Sequence, residues 1–315
     1  MTLSATPSRR FLRLLRGASG APPVPDAFSP VPVQRHAAFW AFARNPAAVS
    51  GVLILLIVAG LALLAGVVFP NDPLDMVTRP LLPPLESVES VEFPLGSDSL
   101  GRDVAAGIAH GARVSLAVGL SAATVSVLTG ILVGSVAGYF GGRIDDLLVR
   151  LTELFQTVPT FLLVIVIVAI GQPSVKVIVL AIGLASWPVI ARLVRAEFRL
   201  LREAEFVLAA RSQGFSDLRI IFQEILPNAL PPVIVTASVL VATAILIESA
   251  LAFVGMGDPN GVSWGSMIGE GREQLRTAWT LTAIPGAAII LTVLSLNLVG
   301  DGLNDAFNPR LRGLR

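Results

Sequence analysis

Cysteine is absent from this 315-residue chain, which excludes disulfides, thiolate nucleophiles and thiolate metal sites. Lysine is nearly absent: the only one, Lys176, follows Val175. A phosphate loop of the form G-x-x-x-x-G-K-[ST] needs a lysine directly after a glycine, so any ATP that drives this protein binds another chain. Histidine is limited to His36 and His110, and neither begins an H-E-x-x-H pattern, so a zinc protease has no ligand set. Gly261, Ser263 and Gly265 match the spacing of a serine-hydrolase elbow, which needs a strand-to-helix turn, a histidine base and an acid. In this context the segment reads as a turn or short surface helix. Charge is also scarce, at 14% of residues against about 25% in an average soluble domain.

Apolar residues fill that gap, making up 54% of the chain. They gather in six long runs, expected near Val49 to Phe69, Val114 to Tyr139, Leu147 to Ile170, Val175 to Leu193, Leu230 to Phe253 and Leu281 to Val299. The first is long enough, at about 1.5 Å per residue, to cover the roughly 30 Å of a hydrocarbon core. The expected fold class is therefore an all-α polytopic membrane protein with six transmembrane helices. Pro159, Pro188, Pro231, Pro232 and Pro285 lie within or beside these runs and point to kinks. Gly130, Gly134 and Gly138 recur every four residues, a small-residue face that lets a neighbouring helix approach closely. Glu153 and Glu248 are carboxylates inside spans, where a charge costs about 2.5 to 3.5 kcal/mol and needs a partner or a water-filled path. Glu248 and Asn297 accordingly have two readings, hydrogen-bonded between helices or lining a pathway.

Residues 1–46 read as a basic, proline-rich tail ahead of a transmembrane domain over 47–312, with 313–315 as the end. Arg9 to Gly17 is either a positive flank that fixes orientation or an amphipathic helix on an anionic surface. Ala21 to Val33 is expected to be extended. No signal-cleavage pattern precedes the first span, so the segment is expected to stay attached. Under six spans, 17 of the 23 basic residues fall on the side of the N-terminus, five on the other, and Arg113 at a boundary. The excess places both termini in the cytoplasm. Asn71 to Ala112 becomes an acidic external segment.

One charged stretch, Glu203 to Asn228, lies between two apolar runs on the expected cytoplasmic side. Phe206, Val207 and Ala210 share a helical face. Gly214 stands where a left-handed helix end is wanted, because it has no Cβ to clash. Ser216 is then placed to cap a second helix, in which Leu218, Ile221, Phe222 and Ile225 form an apolar stripe. Pro227 is expected to end it.

At Ala209, Ala210, Gly214, Ile225, Leu226 and Pro227 the stretch resembles the "EAA" loop of importer-type ABC permeases. The family's glutamate would fall at Leu208, with Glu205 one turn earlier as a substitute. Leu95 to Val104, the FWAFARNP stretch, Ala137 to Arg150, Ser263 to Arg272 and GDGLNDAFNPRLR resemble the dipeptide/oligopeptide permease subfamily, and within it the C-type subunit. The resemblance implies a bacterial or archaeal membrane protein that hydrolyses nothing itself. It also implies a second permease subunit, two cytoplasmic ATPases that bind the ATP and Mg, and an external substrate-binding protein, with no metal or nucleic acid. Glu205, Ala209, Ala210, Gly214, Ser216, Asp217, Ile221, Ile225, Leu226 and Pro227 would couple to the ATPases, in a loop bounded at 196–228. Nickel chelates or another small solute are the alternative cargo, and an autonomous channel or ion-coupled carrier the alternative class.

Overall fold

The computed structural model describes residues 35–88 and 91–307. The Arg9 to Gly17 and Ala21 to Val33 segments and the chain from 308 onward lie outside the described residues. Part of the expected tail is helical, as α1 (Arg35–Ala43). Asn45 then caps α2 (Pro46–Val68), its side-chain oxygen accepting from the amides of Ala47 at 3.1 Å and Ala48 at 3.3 Å. Pro46 sits in the first turn, where an amide would have no helical partner.

The segment joining α2 to the next long helix carries a small antiparallel hairpin, β1 (Glu86–Val88) and β2 (Val91–Phe93), in which Glu86 pairs with Phe93. Helix α3 (Val104–Phe140) begins ten residues before the expected start of its span. The added turns contain His110 and Arg113, which hydropathy rejects but whose polar groups are satisfied. His110 Nε2 lies 3.0 Å from the Phe69 carbonyl, and Arg113 Nε donates to the Ala62 carbonyl at 3.1 Å.

The expected third span is not one helix. Helices α4 (Gly142–Thr157) and α5 (Thr160–Gly171) meet at 83°. Pro159 has no amide for the ladder and holds Val158 in an extended conformation (φ −93°, ψ 129°), as a residue before proline prefers. Helix α4 exposes apolar and charged residues side by side, Arg143, Asp146, Arg150 and Glu153 among the latter, and half-buries Leu148, Val149 and Phe155. Asp145 and Thr152 are buried, while Ile144, Leu147, Leu151, Leu154 and Val158 point away from the chain.

Helix α6 (Val175–Leu201) is the main partner of α3. A Cβ added at Gly130, Gly134 or Gly138 would come within 2.5 to 2.6 Å of Ile190, Ala191 or Phe198. The small-residue face is thus a contact that no larger residue can make. Helices α7 (Glu205–Ser212) and α8 (Asp217–Arg219) follow, then a wide π-turn (Ile220–Ile225) that leads into α9 (Leu226–Phe253). The chain closes with α10 (Trp264–Gly271) and α11 (Thr280–Phe307). Among the described residues five helices are long and apolar enough to cross a membrane, or six spans if α4 and α5 count as one.

Candidate functional site

The end of the bundle between α6 and α9 carries the charged loop singled out by sequence. In α7, Val207 and Ala210 are buried, and Phe206 packs beside them against the core cluster that includes Tyr139 and Phe198. Leu208, Ala209 and Glu205 face outward. The helix ends in a paired cap: the Gly214 amide donates to the Arg211 carbonyl at 2.9 Å and the Phe215 amide to the Ala210 carbonyl at 3.2 Å. This closure requires a left-handed residue, and Gly214 supplies it at φ +79°. A Cβ at Gly214 would meet nothing within 4 Å, so the constraint lies in the backbone alone.

The second half of the loop departs from expectation in three ways. Ser216 occupies the cap position of α8 with extended backbone, but its side chain makes no cap hydrogen bond. The neighbouring Asp217 carboxylate instead accepts from the Tyr139 hydroxyl at 2.6 Å. Pro227 does not end the helix. It sits in the first turn of α9, because the π-turn bonds the Leu226 amide to Ile221 five residues back and so relieves the carbonyl clash that proline creates in tighter winding. The same widening changes the phase of the apolar stripe. Ile220, Ile221 and Ile225 are buried and Leu226 is half-buried, while Leu218 and Phe222 remain 67% and 58% exposed.

A tyrosine that sequence reasoning passed over organises this end of the molecule. Beyond its bond to Asp217, the Tyr139 carbonyl accepts from Arg202 Nη1 at 3.0 Å, and the Arg211 guanidinium lies 5.5 Å from the ring centroid. The guanidinium of Arg219 lies 3.8 Å from the Phe215 ring centroid. Next to this network Arg195 of α6 grips Asp145 of α4 with two nitrogens, Nη2 at 2.7 Å from Oδ2. The sequence signal was available: a lone tyrosine and a glycine pair, Gly141 and Gly142, at the end of an apolar run.

The two pathway candidates separate. Glu248 in α9 is 2% exposed, its Oε2 accepting from the Ser115 and Ser249 hydroxyls at 3.4 Å each. The Ser115 oxygen in turn accepts from the Trp264 amide at 3.4 Å. The carboxylate reaches no open surface of this chain, which favours the interhelical role over a pathway lining. Asn297 is exposed on α11. At the opposite end of the bundle Ser263 caps α10 through a reciprocal bond with Ser266, and Trp264 Nε1 donates to the Ile108 carbonyl at 3.0 Å. The serine of the G-x-S-x-G match therefore serves as a helix cap. Among the described residues no group of three or more histidines and carboxylates is placed to hold a metal ion.

A family model described as binding-protein-dependent transport system inner membrane component matches residues 130–313. The chain is similar to the di/tripeptide transport system permease protein DppC of Pseudomonas aeruginosa, 39% identical over 292 residues that cover 91% of this chain and 95% of that protein. It is likewise 36% identical over 293 residues to the dipeptide transport system permease protein DppC of Haemophilus influenzae, covering 91% and 98% of the two chains. Its fold is similar to a chain of the inward-facing MetNI methionine ABC transporter, with a TM-score of 0.51, 17% identity, and coverage of 66% of this chain and 96% of that one.

Proposed function

Because this chain belongs to the family of binding-protein-dependent transport system inner membrane components, we propose that it is the transmembrane subunit of an ATP-driven importer of di- or oligopeptides. It contributes half of the pathway and pairs with a second permease subunit. Two ATPases bind the loop Glu203 to Asn228 from the cytoplasm, and an external binding protein delivers the cargo. Support for the peptide cargo comes from relatives named as dipeptide or di/tripeptide permeases along nearly their full lengths.

The observation that carries the docking role is the shape of the loop. Its inner face, Val207, Ala210, Ile220, Ile221 and Ile225, is fixed in the core, and Gly214 locks the turn between the halves. Its outer face leaves Leu208, Ala209, Gly214, Leu218 and Phe222 exposed. A rigid inner face lets the bundle follow whatever the outer face binds. Docking shifts the bundle between inward-facing and outward-facing arrangements only if the ATPases contact the loop differently in the two.

The test is a mild-detergent purification of the C-terminally tagged chain from its native host, with ATPase assay and identification of bound proteins. Co-purification of a second permease and two ATPases is the expected result. Transport assays with dipeptides and with nickel chelates then decide the cargo. A stable chain that purifies alone, without ATPase activity, would favour an autonomous channel or carrier.

A further inference from the structure

The chain's single tyrosine is the penultimate residue of α3, and it touches the loop and the helices beside it at once. It is 5% exposed. Its hydroxyl donates to Asp217, the first residue of α8, and its carbonyl is held by Arg202, which follows α6. Arg211 of α7 stands over its ring. Two residues further on, Gly141 and Gly142 turn the chain into α4 at φ +66° and +55°. A Cβ at Gly142 would meet nothing within 4 Å, whereas one at Gly141 would lie 3.2 Å from Arg202 Nη1, so the corner is open on one side and braced by Arg202 on the other. Beyond it, α4 is tied to α6 by the Asp145–Arg195 pair and ends at the 83° bend beside Pro159.

We propose that Tyr139 is the positioning residue through which a displacement of the loop reaches α4. Asp217 draws on the phenol, the phenol turns the end of α3, and the glycine corner converts that turn into a swing of α4 about Pro159. The outward leucine stripe of α4 moves with it. The inference rests on the loop being the ATPase-docking surface. Tyrosine suits the task because its O–H gives a short bond to a carboxylate from a side chain with few rotatable bonds. Losing a hydrogen bond to a charged acceptor shifts a two-state equilibrium by about tenfold or more, provided the bond differs between the states.

Since the chain has no cysteine, spin labels at Leu154→Cys on α4 and Leu128→Cys on α3, attached before assembly, report their separation in the complete importer with and without trapped ATP. Transported substrate per ATP hydrolysed is measured on the same assemblies. Tyr139→Phe is expected to hold the ATPases in parental amounts, yet to lose the ATP-dependent distance change and about tenfold in substrate moved per ATP. Asp217→Ala, which lies in the docking loop and so is read per bound ATPase, should lose the same distance change and coupling, and the double variant should be no worse than either. Asp217→Asn, whose amide oxygen still accepts, should keep most of the coupling. A Tyr139→Phe complex with the parental distance change and coupling overturns the proposal. Asp217 is exposed, so Asp217→Ala tests the same bond should the phenylalanine variant fail to insert, and parental coupling in it overturns the proposal equally. An unaltered chain that binds no ATPase overturns the docking role and this proposal with it, whereas failure of the Tyr139 variants alone to uncouple leaves docking intact.

Discussion

Gly214 shows what a single residue can settle. Its φ of +79° costs an L-residue about 1 to 2 kcal/mol, and asparagine bears that conformation better than other residues with a Cβ. Gly214→Asp is therefore expected to insert normally but to hold less ATPase, with Gly214→Asn between it and the parent. Co-purified ATPase per mole of chain is the measurement, and full ligand-stimulated transport by Gly214→Asp would contradict the docking role. Gly134 is set by space instead: a Cβ there would lie 2.5 Å from the Ala191 carbonyl oxygen. Overpacking of this kind costs about 1 to 3 kcal/mol, so Gly134→Val should lower the melting temperature of the detergent-solubilised chain. Both glycines could be read from sequence because a helix end and a four-residue repeat are local patterns. The exit at Pro227 could not. Whether a proline stops a helix depends on the winding before it, and that winding is set by burial of Ile220 and Ile225 in the core. Glu248 was legible as a costly carboxylate but not as one enclosed by Ser115, Ser249 and the Trp264 turn, because those partners lie up to 149 residues apart in sequence, as in the Ser115–Trp264 contact.

Among the elements, the apolar runs announced every long helix, while the bent pair α4–α5 stayed hidden. Pro159 and Pro188 send the same local signal, yet α6 runs unbroken through Pro188 and the chain turns by 83° beside Pro159. Pro188 is buried in its helix, whereas Pro159 is exposed at a helix start. Helix α4 leaves Leu147, Leu151 and Leu154 exposed, so its leucines read as part of a span. What ties α4 to α6 is the Asp145–Arg195 pair, with side chains 12% and 29% exposed. Removing one partner of such a partly buried pair is expected to cost about 2 kcal/mol. Asp145→Leu should thus destabilise α4, and Asp145→Leu combined with Arg195→Leu should recover part of the loss. Protease cleavage at Arg143 and Arg150 gives the readout, since faster cleavage follows a loosened α4; equal cleavage in single variant and parent would assign the fastening to other contacts.

At the scale of the molecule, the excess of basic residues on one side predicts that the loop and the hairpin segment lie on opposite faces of the membrane. With no native thiol to interfere, Ser99→Cys should react with a membrane-impermeant maleimide on intact cells, and Ser212→Cys only after permeabilisation. The reverse pattern would invert the topology and place the loop out of reach of cytoplasmic ATPases. The way α8, the π-turn and α9 join bears on how force would pass between those faces. From Asp217 to Phe253 the winding is continuous over 37 residues, a strut of roughly 55 Å at 1.5 Å per residue. A strut has no slack: rocking it by about five degrees carries its far tip about 5 Å, nearly one helical pitch. The mechanical advantage of this chain is thus built into one long helical run, and the places where its hydrogen-bond ladder gives, the wide turn and Pro231–Pro232, lie toward the end where the push arrives.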